Sequence, residues 1–102
     1  MKLKYIANTI WKHEKPLNED EQRAYLETVR TVLDEDGSWI ENYWFKIDDY
    51  THGSVSIYSS KKAWERLKDK IAAQRSFSTG DMGVKMLAEY NGPAFAVLSE
   101  VG

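Results

Sequence analysis

The sequence contains no cysteine, and this absence excludes several classes of site. A disulfide framework, thiol catalysis and a thiolate metal site all require that residue. The chain also lacks an excess of positive charge, because 14 basic and 16 acidic side chains leave a net charge of −2. A chain of this kind has no basic field to attract a phosphate backbone. Residues 1–6 form no long apolar run, so we expect neither a signal peptide nor a membrane partner, and predict a cytoplasmic protein.

Histidine is equally scarce, since the chain has only His13 and His52. Neither has a second nitrogen ligand at a useful spacing, so no metal site is predicted. His52 is a candidate general base because imidazole titrates nearest neutral pH. Its position between Thr51 and Gly53, in a predicted hairpin turn, equally fits an exposed residue without a catalytic role.

Large aromatic rings, by contrast, are abundant. The chain has three Phe, four Trp and six Tyr among 102 residues, and 42% of its residues are hydrophobic. This composition favours a folded globule over a disordered chain. The length suits one hydrophobic core, so residues 1–102 are predicted to form a single domain.

Hydrophobic periodicity and turn residues predict the element order β-α-β-β-α-(α)-β. A capping box of Asn18 and Glu21 starts the first helix, and Ser59 or Ser60 caps the second. A break at residues 76–80 separates the second helix from a shorter third helix. The predicted strands cover residues 3–12, 39–47, 54–59 and 94–101, and the third helix covers residues 81–90.

This order indicates an α+β, ferredoxin-like fold, in which helices cover one face of a four-stranded antiparallel sheet. Alternation along the strands assigns Ile6, Ile10, Val55 and Ile57 to the face that packs on the helices. The open face then carries rings that need a cover on a small protein. A second copy is the simplest cover, and a nucleic acid or a small ligand are the alternatives. The predicted homodimer interface consists of Tyr5, Trp11, Tyr43, Phe45 and Tyr58.

A nucleic-acid partner is disfavoured by the third predicted strand. The RNA recognition motif has the same element order, but it places stacking rings at alternate positions after a glycine. This chain has Ser54, Val55, Ser56 and Ile57 after Gly53. No nucleic-acid partner is therefore predicted.

Two groups of residues are candidates for a pocket between sheet and helices. Asn8 lies on the predicted inner face, where its amide can orient a ligand carbonyl or be satisfied by the surrounding backbone. Soft and flat side chains suit an apolar or aromatic ligand, although a plain core has the same composition. The predicted pocket residues are Trp44, Trp64, Met82, Met86 and Tyr90.

Two stretches resemble the dimeric α+β barrel superfamily. Residues 37–44 (GSWIENYW) open the second strand, and residues 57–64 (IYSSKKAW) run from a strand into a Ser-x-x-Ala-aromatic helix start. The superfamily includes antibiotic-biosynthesis monooxygenases, haem-degrading monooxygenases and uncharacterised stress-related proteins. The resemblance implies a homodimer with a pocket in each subunit, and Asn8 matches an Asn that the haem-degrading members carry on their first strand. If the chain is an enzyme, we expect a cofactor-independent monooxygenase or isomerase, with Asn8 and His52 as its candidate catalytic residues.

The resemblance does not extend to haem. The histidine that binds iron in the haem-degrading members has no counterpart in residues 72–76 (AAQRS), so no cofactor is expected. The alternative to an enzyme is a non-catalytic dimerising or regulatory module in which the aromatic residues are all structural.

Overall fold

The computed structural model describes residues 3–33, 39–81 and 83–101, which form an antiparallel sheet covered by helices. The sheet order is β2-β3-β1-β4, and the element order β-α-β-β-α-β confirms the predicted ferredoxin-like fold. The elements are β1 (Tyr5–His13), α1 (Glu19–Leu33), β2 (Trp39–Asp48), β3 (Thr51–Tyr58), α2 (Lys61–Asp81), β4 (Val84–Pro93) and a short 3-10 turn (Leu98–Glu100).

Local capping signals in the sequence are confirmed at the start of both helices. The Glu21 backbone N–H donates to Asn18 Oδ1 at 3.0 Å, and the Ala63 N–H donates to Ser60 Oγ at 3.1 Å. Each bond satisfies a backbone donor that the first turn of a helix leaves unpaired. The caps fix where α1 and α2 begin, and therefore where they cross the sheet. The predicted stop of α1 at Gly37 lies outside the described residues.

The predicted strand faces are wrong for β1 and β3. Tyr5, Trp11 and Tyr58 are not on the open face but buried beneath the helices, with Tyr58 only 3% exposed. Ile6 and Ile57, which pair with each other, lie on the opposite face. Both faces of β1 carry large apolar side chains, and the inward face of β3 carries Tyr58 beside smaller polar residues, so alternation alone did not identify the buried face. The core cluster comprises Tyr5, Ala7, Val29, Tyr58, Ala63, Leu67 and Ile71.

Strand β2 has the predicted faces. Tyr43 and Phe45 are exposed on the open face, and Trp44 points to the helix side. The Phe45 ring lies over Gly53 of the neighbouring strand, where any Cβ would collide with it. A side chain at residue 53 would therefore displace this ring.

The last third of the chain differs from the predicted order of elements. Helix α2 continues through residues 76–80 without a break, and residues 84–93, most of them predicted as helix, form β4. Gly83 adopts a φ of 64° and turns the chain between the two elements. Met86, Leu87 and Ala88 are good helix formers, but pairing with β1 overrides that preference. Residues 94–101, predicted as a strand, contain only the short turn.

Candidate functional site

A cavity of about 90 Å³ lies between the sheet and the two helices. Its wall is largely aromatic, because Trp11, Tyr25, Trp44 and Tyr58 all contribute to it. Tyr25 and Trp44 contact each other across the space between α1 and β2, with ring centroids 6.1 Å apart. The remaining wall is formed by small or polar side chains of the central strands and by residues of α1 and α2.

His13 and His52 meet in this wall. His13 Nε2 lies 2.6 Å from His52 Nδ1, a short hydrogen bond in which one ring nitrogen donates and the other accepts. Trp44 stacks on the His52 ring at a centroid distance of 4.9 Å. The pairing follows from strand register, since His52 lies opposite Trp11 and His13 is two residues further along the same face of β1.

Burial lowers the pKa of both histidines. The pKa of His52 falls to about 4, first because the ring is desolvated and then because charge on His13 opposes its protonation. Desolvation also lowers the pKa of His13. At neutral pH the pair is therefore uncharged and offers the cavity an imidazole that can accept or donate a hydrogen bond.

Asn42 holds Trp44 in position. The Trp44 indole N–H donates to Asn42 Oδ1 at 2.7 Å. The Asn42 amide nitrogen in turn donates to Ser56 Oγ at 2.8 Å and to Ser54 Oγ at 3.0 Å. A network of this kind restricts the indole to one orientation. Asn42 is thus a positioning residue for the ring that covers His52, a role that its spacing in the sequence did not indicate.

Helix α2 contributes one cation to the cavity. Arg75 lines it and forms a 2.7 Å ion pair with Glu89 of β4, and both side chains are about three-quarters buried. Nearby, burial raises the pKa of the Tyr58 hydroxyl, which therefore stays protonated at neutral pH. The cavity accordingly has aromatic walls, donors and acceptors, and no unpaired charge among these groups.

The structure places the sequence-predicted site residues in three different environments. Trp44 and His52 line the cavity, and so do Trp11 and Tyr58, which were predicted for the dimer interface. His52 is 7% exposed, so its alternative interpretation as an exposed turn residue is wrong. Whether it acts as a base stays a prediction.

Asn8, by contrast, lies on the open side of β1. It pairs with Val55 and Tyr90, and its side-chain amide donates to the Ser54 carbonyl at 3.0 Å. Asn8 was predicted inside the pocket because the two faces of β1 were assigned the wrong way round, and this prediction is wrong.

The other predicted pocket residues do not line this cavity. Trp64 packs on Tyr5 at a ring distance of 5.2 Å, and its buried indole N–H has no partner among the described residues. Tyr90 pairs with Asn8 and is exposed on the open face, so its predicted inward orientation is wrong. Met86 pairs with Trp11 on the helix-facing side of the sheet but does not line the cavity. Met82 lies outside the described residues.

The described part of the chain holds neither a cluster of metal-binding side chains nor a membrane-spanning helix. Over residues 3–33, 39–81 and 83–101, no three His, Asp or Glu side chains gather closely enough to hold a metal ion. Neither α1 nor α2 combines the length and the apolarity that a membrane-crossing helix needs.

No protein-family model and no curated protein matches the chain. Solved structures do match over nearly the whole length. SnoaB, a cofactor-independent oxygenase from Streptomyces nogalater, superposes in its N63A mutant form with a TM-score of 0.69 at 9% identity, covering 98% of this chain and 100% of SnoaB. NE2512, a protein of unknown function from Nitrosomonas europaea, superposes with a TM-score of 0.62 at 11% identity, covering both chains completely. Together with the sheet order, these likenesses show that the chain has a ferredoxin-like fold.

Proposed function

We propose that this protein binds a small aromatic metabolite in the cavity between sheet and helices and oxidises it with molecular oxygen, without a cofactor. The observation that carries the proposal is the His13–His52 pair inside a cavity walled by aromatic rings. The same fold supports a cofactor-independent oxygenase in SnoaB. Fold alone does not determine activity, so the proposal depends on the site.

The size of the cavity limits the ligand. A dry cavity of about 150 Å³ in another protein admits benzene, whereas this one has about 90 Å³. An adjoining depression of about 120 Å³ shares Gln22, Trp44 and His52 with it and extends to Leu17 and Glu19. We infer that one ring of the ligand stacks on Trp44, while the rest of the molecule extends through this depression.

The chemistry follows from a neutral imidazole beside an aromatic wall. His52 takes a proton from a CH₂ group that is acidified by a neighbouring carbonyl and ring. The resulting carbanion is electron-rich and reduces O₂, so the carbon gains one oxygen atom and the second oxygen leaves as water. The overall conversion of CH₂ and O₂ into C=O and H₂O balances without an external reductant.

Binding of 2-indanone, a small ring ketone with such CH₂ groups, tests the proposal. We expect saturable quenching of tryptophan fluorescence and consumption of O₂ in the presence of a chelator.

Val29→Phe, which fills the cavity from α1, should weaken binding at least about tenfold. Ala24→Phe, on the exposed side of α1, is the matched control and should leave binding unchanged. No quenching, or equal quenching in both variants, would contradict the proposed site. Binding without O₂ consumption would support the non-catalytic alternative.

We also propose that the protein is a homodimer that pairs through the open face of the sheet. This face carries rings and β-branched residues on all four strands, an apolar surface that is large for a monomer of this size. Its members include Ile6, Ile10, Tyr43, Phe45, Val55, Ile57 and Tyr90. In a two-fold dimer, this face of one subunit packs on the same face of the other, so both apolar faces are buried.

Sedimentation at micromolar concentration tests the dimer. We expect twice the 11.8 kDa chain mass for the wild type. Tyr43→Arg should give monomers, because two-fold pairing would bring each introduced charge into an apolar interface. Glu65→Arg, exposed on α2, is the control and should remain dimeric. A wild-type protein that sediments only at 11.8 kDa would overturn the dimer.

A further inference from the structure

The histidine pair uses one nitrogen of each ring and leaves one nitrogen of each ring for other contacts. The contact joins Nε2 of His13 to Nδ1 of His52. Nε2 of His52 is therefore the nitrogen that can contact a ligand in the cavity. His13 ends β1 and is only partly buried, whereas His52 is almost fully covered. The two rings thus connect the cavity wall with a more accessible position at the end of a strand.

We propose that His13 and His52 form a two-imidazole proton relay between the cavity and solvent. The inference rests on the proposed function in one respect, since the proton that enters the relay comes from the bound ligand. It adds a role for His13, which lines the cavity but which the chemistry above did not require.

Each transfer in the relay can be followed atom by atom. At the start, the proton of His52 is on Nδ1 and forms the hydrogen bond to Nε2 of His13. The proton of His13 is on its own Nδ1. The ligand C–H bond breaks and its proton bonds to Nε2 of His52. The Nδ1 proton of His52 moves to Nε2 of His13, and the Nδ1 proton of His13 passes to water. When an oxygen anion later forms on the ligand, the transfers run in reverse and protonate it.

The relay leaves both rings neutral before and after transfer, and the surroundings favour neutral rings. A protonated His52 would be a buried cation without a carboxylate to compensate it. On β2, Lys46 is opposite His52 in the ladder and is paired with Asp49 at 3.2 Å on the surface. Arg75 of α2 is paired with Glu89 of β4. On α1, Gln22 is uncharged, and Glu19 and Arg23 line the outer depression and not the cavity.

Ring-nitrogen NMR tests the relay without any ligand. The chain has two histidines, so ¹⁵N-histidine labelling gives spectra of these two rings alone. At pH 7 we expect the bridging nitrogens, Nε2 of His13 and Nδ1 of His52, to resonate between the positions of protonated and bare nitrogen, because both tautomers are populated. A single fixed tautomer with the proton on Nε2 of His52 would overturn the relay, since that nitrogen then has no lone pair to accept a proton.

Hydrogen exchange of a bound probe tests the transfer itself. In D₂O, the wild type should accelerate exchange of the CH₂ protons of 2-indanone. His13→Gln places an amide where Nε2 was and keeps a hydrogen bond to His52, but an amide cannot pass on a proton. We expect exchange per bound probe to fall about 10–100-fold in this variant, and added imidazole to restore much of it. Lys12→Gln, exposed on the same strand, is the matched control.

The outcomes separate the relay from the proposed function. A probe that binds and exchanges equally fast in the wild type and in His13→Gln contradicts the relay and leaves the proposed binding site intact. A probe that does not bind contradicts the proposed function, and the ring-nitrogen spectra then decide the relay alone. Imidazole that fails to rescue a slow His13→Gln variant assigns His13 a structural role and overturns the relay.

Discussion

Tyr5→Ala is expected to lower the free energy of unfolding by about 3–5 kcal/mol, as other truncations of large buried rings do. Tyr5 is 7% exposed, contacts Trp64 and faces the core cluster beneath the helices. Removing its ring leaves a cavity between β1 and α2 that the surrounding side chains only partly fill. Urea unfolding measures the loss, which should be the same at every protein concentration.

Tyr43→Ala is the matched control, because the same residue type is 59% exposed on the open face of β2. Its truncation should cost less than about 1 kcal/mol in the monomer, as is usual for surface sites. Any larger effect should depend on protein concentration, since it would come from the proposed dimer. Equal losses for the two variants at low concentration would contradict the buried position of Tyr5.

Acidification is expected to destabilise the fold by about 2–3 kcal/mol through His52 alone. Its pKa is about 4 in the folded protein and near 6.5 in the unfolded chain. The unfolded state therefore binds a proton first as the pH falls, so stability is full above pH 6.5 and is lost between pH 6.5 and 4. One pKa unit corresponds to about 1.36 kcal/mol, and the expected loss is below the full value because nearby solvent screens the charge on the ring.

His52→Asn isolates this contribution from that of the carboxyl groups. Asparagine retains a polar group near the position of Nδ1 but does not titrate in this range. Unfolding free energies at pH 7 and pH 4 should differ by about 2–3 kcal/mol less in the variant than in the wild type. An identical pH dependence in the two proteins would show that His52 is not buried in its neutral form.

The parts of the fold that could be predicted from the sequence depend on local signals. Asn18 and Ser60 cap helices because their side chains reach backbone groups only three residues away. The alternation of polar and apolar residues likewise indicates strands wherever one face is clearly apolar. The order of the first five elements, β-α-β-β-α, follows from these signals and is enough to indicate the ferredoxin-like fold.

The features that could not be predicted depend on contacts between distant segments. Both faces of β1 are apolar, so alternation alone does not determine which face the helices cover, and a one-residue choice reverses the whole strand. Because the wrong face of β1 was chosen, Asn8 was predicted in the pocket and Trp11 in the dimer interface. Residues 84–93 have helix-forming side chains, and only their pairing with β1 makes them a strand.

The histidine pair was missed for the same reason. His13 and His52 are 39 residues apart in sequence, and they meet only if β1 and β3 pair in this register with these faces inward. One signal was available, since Trp11 and His13 share a face of β1. Placing Trp11 beneath the helices would have placed His13 there as well.

The sheet order has a consequence for the time course of folding. Its centre pairs β1 with β3 and β4, so Tyr5 meets Tyr58 and Pro93, whereas the β2–β3 hairpin closes within a short stretch of chain. Long loops must close before the central pairs form, which slows folding relative to a helical protein of this length. During synthesis β1 emerges before β3 and β4, and it must remain unpaired until these partners leave the ribosome. The cavity is therefore completed only after β4, which contributes Val84 to its wall, has been made.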